Sequence, residues 1–261
     1  MMLYTKKTFD FEWPLKEADV WILGIPWDST STGRPTRYGP VLIREAIKGL
    51  IGFDTKMQFN PLKLKFCDLG DVDIVQGDWA ITEERIIETI KEAREQSSGL
   101  PVFFGGDHLV TLAIIKALKP KTVVHMDAHR DMLPDWMGNK FAHLTWAWHA
   151  SKMCDVYQPS CRAWNEEERP AIVGLPKKGP VYLTIDLDVL DPSIAPDVGT
   201  PEPAGLGYTD MLNMIKRICR LGIIGFDIVE CSADKVGCIT ACTAANLFKK
   251  ILSYHFYEKG K

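Results

Sequence analysis

No run of apolar residues in this 261-residue chain approaches the ~20 needed to cross a bilayer. The N-terminal stretch through Trp13 mixes Lys6, Lys7, Asp10 and Glu12 and lacks the charged-then-apolar order of a secretory leader, so the reading is a cytoplasmic protein with no membrane partner. Charge of one sign is missing too. Thirty-four acids against 31 bases leave a net −3 with no like-charged block, which gives no footing for nucleic acid or an anionic surface and leaves a small cationic partner compatible. The seven cysteines are odd in number and contain no C-x-x-C pair, which points to reduced thiols; a Cys154–Cys161 disulfide is open on spacing alone and disfavoured in the cytosol. Repeats, low-complexity segments and a glycine-rich phosphate cradle are also absent.

What is present is an alternation of short β-rich runs with amphipathic stretches. The expected strands are Val20 to Gly24, Leu64 to Asp68, Val102 to Gly105, Thr122 to Met126, Val181 to Asp186 and Ile223 to Ile228. Helices are expected over Pro40 to Gly49, Thr82 to Gln96, Leu109 to Leu118, Gly207 to Arg220 and Ile239 to Tyr254. Nearly continuous apolar strands between helices predict an α/β fold with a mainly parallel sheet covered on both faces, in a single domain over residues 1–261. In such sheets the chemistry belongs in the loops after the strands.

Three predicted strands end in metal-type residues. Val102-Phe103-Phe104 runs into Gly105-Gly106-Asp107-His108, Thr122 to His125 into Asp127-Ala128-His129-Arg130-Asp131, and Tyr182 to Ile185 into Asp186-Leu187-Asp188. In extended chain, positions i, i+2 and i+4 share a face, so Asp127, His129 and Asp131 should point together with Ala128 and Arg130 directed away; Asp186 and Asp188 pair for the same reason. Four carboxylates this close would raise one another's pKa unless cations held them, and two divalent ions would supply the charge. Oxygen donors with a minority of imidazoles suit manganese, and the lack of cysteine at these positions argues against structural zinc. Singly, an Asp-x-Asp at a strand end reads as a turn or helix cap and a lone histidine as a satisfied core group. Five of the six histidines fall between 108 and 149, however, and three strand ends repeat the pattern.

These residues carry a resemblance. Gly105 to His108, Met126 to Asp131, and Thr184 to Pro192 followed by Gly199-Thr200-Pro201-Glu202-Pro203 resemble the signature motifs of the ureohydrolase family of arginases and agmatinases. Gly24 to Asp28, Arg37 to Pro40 with Ile43-Arg44, and Gly225 to Glu230 extend the likeness over almost the whole chain. The resemblance implies a three-layer α/β/α sandwich of the arginase/deacetylase type and two Mn2+ per subunit. One ion would be held by His108, Asp127, Asp131 and Asp186, the other by Asp127, His129, Asp186 and Asp188. It matches Glu230 to the carboxylate that pairs with the substrate guanidinium and His143 to a proton shuttle. His125 and His149 are read as supporting or structural.

The reaction so implied is hydrolysis of a guanidino compound to urea and an amine. Two bound metals would make hydroxide available near neutral pH, Glu230 would orient the guanidinium carbon, and His143, or a proton relayed through Asp188, would assist the leaving amine. Bland readings exist for Glu230, as a salt-bridged strand end, and for His143, as a helix-start residue. The Arg37 to Pro40 segment and His143-Leu144-Thr145 resemble agmatinase-type members, so agmatine comes first and aminopropylagmatine second; arginase and formiminoglutamase are alternatives, a phosphoesterase or a silent subunit less so. The family likeness also implies a trimer or hexamer. Arg130 between two ligand positions, a short segment from His149 to Pro180 and a Glu166-Glu167-Glu168 run read as a solvated face are departures. Trp136, Trp146 and Trp148 are read as lining a pocket for an alkyl-ammonium chain or as packing.

Overall fold

The computed structural model describes residues 11–29 and 33–259; the mixed-charge stretch before residue 11 lies outside them. Seven strands form one sheet: β1 (Val20–Ile25), β2 (Phe66–Asp71), β3 (Leu100–Gly105), β4 (Thr122–Met126), β5 (Asp155–Tyr157), β6 (Val181–Asp186) and β7 (Ile223–Val229). Their order is β2-β1-β3-β7-β6-β4-β5, and every pairing is parallel. The helices are α1 (Gly39–Lys48), α2 (Trp79–Gln96), α3 (Val110–Leu118), α4 (Trp146–Ala150), α5 (Tyr208–Arg220) and α6 (Ile239–Lys259).

Strand alternation divides the core in two. Val20, Ile22, Val102, Phe104, Leu183, Ile185, Phe226 and Ile228 face one side and pack with α1, α5 and α6. Their neighbours Trp21, Leu23, Ile25, Phe103, Val123, Tyr182 and Val229 face the other side and pack with α2, α3 and α4. A strand covered on both faces has no polar side, and this is why the central strands read as nearly continuous apolar runs. The result is the expected three-layer α/β/α sandwich.

All six expected strands and all five expected helices are present; Thr122–Met126 and Val181–Asp186 match end to end, and the others differ at one or both ends. β2 continues to Asp71, and α2 begins at Trp79, where Asp78 accepts a hydrogen bond from Ile81 N as its cap. β5 and α4 were not anticipated. Three and five residues are too few to show a period, and both depend on neighbours already in place: β5 adds to the edge of β4, and α4 packs on α3. No helix among the described residues is long and apolar enough to cross a membrane.

Candidate metal centre and active site

Four neighbouring strands in the middle of the sheet, in the order β3-β7-β6-β4, end level with one another. Phe104 pairs with Ile228, Ile228 with Ile185, and Ile185 with Met126. The residues that follow each strand therefore emerge on one line at the carboxyl edge: His108 after β3, Glu230 after β7, Asp186 and Asp188 at the end of β6, and Asp127, His129 and Asp131 after β4. The turn after β3 needs glycine at 106, where a Cβ would sit 1.9 Å from the Trp27 carbonyl oxygen. Asp107 closes that turn by accepting from Leu109 N, Ser29 N and Ser29 Oγ.

All six residues expected to hold metal meet here. His108 Nδ1 lies 3.0 Å from Asp127 Oδ2, 3.4 Å from Asp186 Oδ2 and 3.5 Å from Asp131 Oδ2. His129 Nδ1 lies 2.8 Å from Asp188 Oδ2 and 3.5 Å from Asp127 Oδ1. The atoms that could hold an ion fall into two lobes sharing Asp127, one of His108, His125, Asp127 and Asp131 and the other of Asp127, His129 and Asp188, and every member except the partly open His129 is buried. The convergence has a different cause from the one expected. β4 stops at Met126 and Asp131 has φ +55, so the 127–131 segment is not a continued strand. β6 stops at Asp186, whose Oδ1 caps a 3-10 turn by accepting from Asp188 N while Oδ2 faces His108. The helix-cap reading of Asp186 holds for Oδ1, and Oδ2 is left facing the His108 ring.

The donors suit a cation. His108 Nδ1 is buried and makes no hydrogen bond, although three carboxylate oxygens surround it. Burial, and then the neighbouring carboxylates, push Asp131 and Asp186 well above the usual carboxylate range. No lysine or arginine bonds to either group among the described residues. Divalent ions between these oxygens and imidazoles would neutralise what is otherwise a costly set of buried like charges.

Supporting groups set the orientation of the donors. Gln158 Nε2 donates to His125 Nδ1, which leaves His125 Nε2–H to donate to Asp127 Oδ2 at 2.6 Å. Burial pushes His125 down to about 4, so it serves as a neutral donor. Trp146 Nε1 donates to Asp131 Oδ2, and its ring stacks on His108 with centroids 4.6 Å apart. Thr184 Oγ1 meets His108 Nε2 at 2.9 Å, and Asp227 accepts from Thr184, Thr111 and Tyr182. Arg162 spends its guanidinium on the carbonyls of Asp188, Val189, Glu202 and Pro203, tying the 188–190 turn to the following loop. None of Gln158, Arg162 and Asp227 was singled out from sequence. The available signal was polar residues inside apolar strands, as Thr184 and Asp227 are.

Glu230 sits at the edge of this centre with φ +62, and its Oε1 accepts from His108 N at 2.8 Å. Among the described residues, six outside glycine have positive φ, and Asp131 and Glu230 are two of them. Strained backbone at two candidate site residues fits a functional centre. Burial first, then Asp186 and Asp107, raise the Glu230 carboxyl well above its usual range. His143 begins the 3-10 turn His143–Thr145; burial, and then His108 and His129, hold it down to about 4.

Arg130 lies with its guanidinium 3.9 Å from the Trp164 ring centroid, and its carbonyl accepts from Gln158. Glu166 and Glu167 are exposed, but Glu168 is buried and accepts from Met132 N and Asn165 N, so the run is not wholly a solvated face. His149 is structural, bonding the Lys140 carbonyl and stacking on Phe141. All seven thiols are free; Cys161 donates to the His129 carbonyl. Trp146 is fully buried packing, Trp148 carries Lys152 over its ring, and Trp136 lines a cleft of about 470 Å³ with Asp135, Met137, Glu166 and Glu167.

The arginase family profile matches residues 18–175 and 165–253. The chain belongs to the arginase family. The agmatinase of Pyrococcus horikoshii is 36% identical over 95% of this chain and 96% of its own. The N(1)-aminopropylagmatine ureohydrolase of Thermococcus kodakarensis is 33% identical over 94% of each. The crystal structure of the agmatine ureohydrolase of Thermoplasma volcanium superposes with a TM-score of 0.87 at 27% identity, covering 99% of this chain and 97% of that one. Arginase-family proteins are binuclear metal enzymes, and this member is an agmatinase-like ureohydrolase, a hydrolase of linear amidine C–N bonds.

Proposed function

We propose that this chain hydrolyses agmatine, or agmatine bearing an aminopropyl extension, to urea and the corresponding amine, using two Mn2+. The observation that carries the reading is the unbonded, buried Nδ1 of His108 among three carboxylates, beside a second lobe built on His129 and Asp188. His108, Asp127, Asp131 and Asp186 would hold one ion and Asp127, His129, Asp186 and Asp188 the other. When bound, the pair supplies the Lewis acidity that makes hydroxide available from water near neutral pH.

The chain's own residues do the rest. Glu230 keeps one oxygen on His108 N, which orients the carboxylate and leaves the other oxygen to pair with the planar guanidinium and fix its carbon for attack. The bond that breaks joins that carbon to the chain nitrogen; the other two nitrogens leave as urea. The departing nitrogen needs a proton. His143, held neutral, can take a proton released by the attacking water and return it to the amine, and Asp188 offers a second relay. The cleft of Trp136, Asp135, Glu166 and Glu167, lined by none of the six metal-type residues, Glu230 or His143, offers an aromatic ring and carboxylates that would suit an ammonium group and not a carboxylate. Arg130, the one residue that hinted at a carboxylate grip, is stacked on Trp164. A homo-oligomer, trimer or hexamer, belongs to the same proposal and is read by light scattering.

The test offers Mn2+-loaded protein agmatine, aminopropylagmatine, arginine, guanidinobutyrate and formiminoglutamate in parallel, with chelated protein as control. Metal-dependent urea from either of the first two supports the reading. Formamide from formiminoglutamate alone moves the chain to that chemistry, and no turnover of any of the five by metal-loaded protein sinks the proposal. His143→Ala is expected to lose about 10²-fold or more in kcat. Full turnover across pH would remove the shuttle role.

A further inference from the structure

Asp227 is a carboxylate with no exposed surface in the middle of β7, and among the described residues no cation bonds to it. Three hydroxyls serve it instead: Thr184 at 2.5 Å, Tyr182 at 2.7 Å and Thr111 at 3.0 Å. A buried anion balanced only by neutral donors is costly, and an apolar residue of similar size would pack the strand without that cost. Stability alone gives no reason for it.

Hydrogen-bond direction gives one. An ionised carboxylate only accepts, so each of the three hydroxyls spends its single proton on Asp227. Thr184 Oγ1 is then left purely as an acceptor toward His108 Nε2, 2.9 Å away. The imidazole must carry its proton on Nε2, and the lone pair of Nδ1 is directed at Asp127, Asp131 and Asp186. Thr111, at 3.3 Å, is also oriented to Asp227 and cannot compete for the Thr184 proton.

We propose that Thr184 and Asp227 are positioning residues that lock the tautomer and ring orientation of His108 for the metal at its lobe of the centre, with no corresponding influence on the His129 lobe. The inference rests on the proposed metal site and predicts an asymmetry that the site alone does not. Second-layer partners of this kind are worth about 10–100-fold in metal affinity.

The experiment is Mn2+ titration by calorimetry, with metal content by mass spectrometry, on the wild-type chain, Thr184→Val and Thr184→Ser. Valine keeps the shape and removes the acceptor; serine restores it. Expected are two ions in the wild type and in the serine variant, and one ion of unchanged affinity plus one weakened about 10–100-fold in the valine variant. Two ions of wild-type affinity in Thr184→Val would overturn the inference, as would equal weakening of both ions together with a lower Tm, which is the mark of a merely structural role. Absence of metal in the wild type would instead sink the reading on which the inference rests, and the inference with it. Should Thr184→Val fail to fold, the wild type still decides. Histidine 15N spectra of the metal-free wild-type chain must show His108 carrying a proton on Nε2, and a ring protonated on Nδ1 alone refutes the lock.

Discussion

Asp54 and Asp186 are both buried carboxylates, and the chain treats them in opposite ways. Asp54 is met by Lys250 of α6 at 2.8 Å and by the backbone N–H groups of Lys56 and Met57. Despite the cost of burial, these partners hold it below the usual carboxylate range. Asp186 has only the capped Asp188 N–H and the His108 ring, faces two more aspartates, and is pushed upward. The first arrangement is complete as it stands and ties α6 to the 54–59 turn. The second would be completed by a cation, as proposed above. A buried acid that brings its own lysine is a structural element, whereas a cluster of acids served by imidazoles is a candidate binding site.

The contrast can be broken most sharply at Asp186. Asp186→Asn keeps the turn cap but removes a shared carboxylate. We expect turnover to fall about 10³-fold, the loss of several kcal/mol of electrostatic stabilisation. In chelator the variant should melt no lower than wild type, because like-charge repulsion is relieved. The stabilisation that Mn2+ should give the wild type, about 2.7 kcal/mol at a hundredfold excess over Kd and read as a higher Tm, should largely disappear. A variant that melts well below wild type in chelator would mean that this aspartate is structural, like Asp54.

Glu230→Gln tests whether the acid beside the centre serves substrate or metal. The amide oxygen can still accept from His108 N, so both ions should remain, while kcat/KM drops about 10²-fold through loss of the charged pair. Loss of metal in this variant would assign Glu230 to the centre's framework. A smaller effect is expected at Trp146→Phe. The ring keeps its place against His108, the N–H to Asp131 is lost, and activity should fall about tenfold with weakened Mn2+ binding, read by titration.

At Asp54 the effect on activity should be smallest and the effect on stability plain. Asp54→Asn is expected to leave kcat near wild type and to lower stability by about 1–3 kcal/mol at neutral pH. A folded-state pKa below the unfolded value contributes stability that is present above about pH 4 and lost as pH falls through the folded pKa. The gap between wild type and variant should therefore close on acidification, as followed by denaturant melts across pH. A gap that widens instead would contradict the Lys250 pairing.

The strands and helices were legible because burial imposes period and composition: a strand covered on both faces must be apolar along its length, as Val102 to Phe104 and Val181 to Leu183 are. The six residues that meet at the strand ends were legible because metal chemistry restricts residue type and the loops after parallel strands are few. Trp146–Ala150 and Asp155–Tyr157 were not, since elements this short form only against a finished neighbour. Glu168 was misread with the run around it, because a glutamate facing the Met132 N–H looks like any other in sequence. Thr184 and Asp227 stood in plain view as polar residues inside apolar strands, but their partners are 43 to 116 positions away.

By itself the sequence determined the fold class, the order of elements and the identity of the groups gathered at the strand ends, because hydrophobic periodicity and donor chemistry are properties of residues near one another in the chain. The tertiary structure alone decided how those groups are aimed. The turn rather than extended chain that brings Asp186 and Asp188 together, the left-handed residues at Asp131 and Glu230, and the hydroxyl that orients His108 all arise where distant strands come level, and hydrogen-bond direction exists only once both partners have a place.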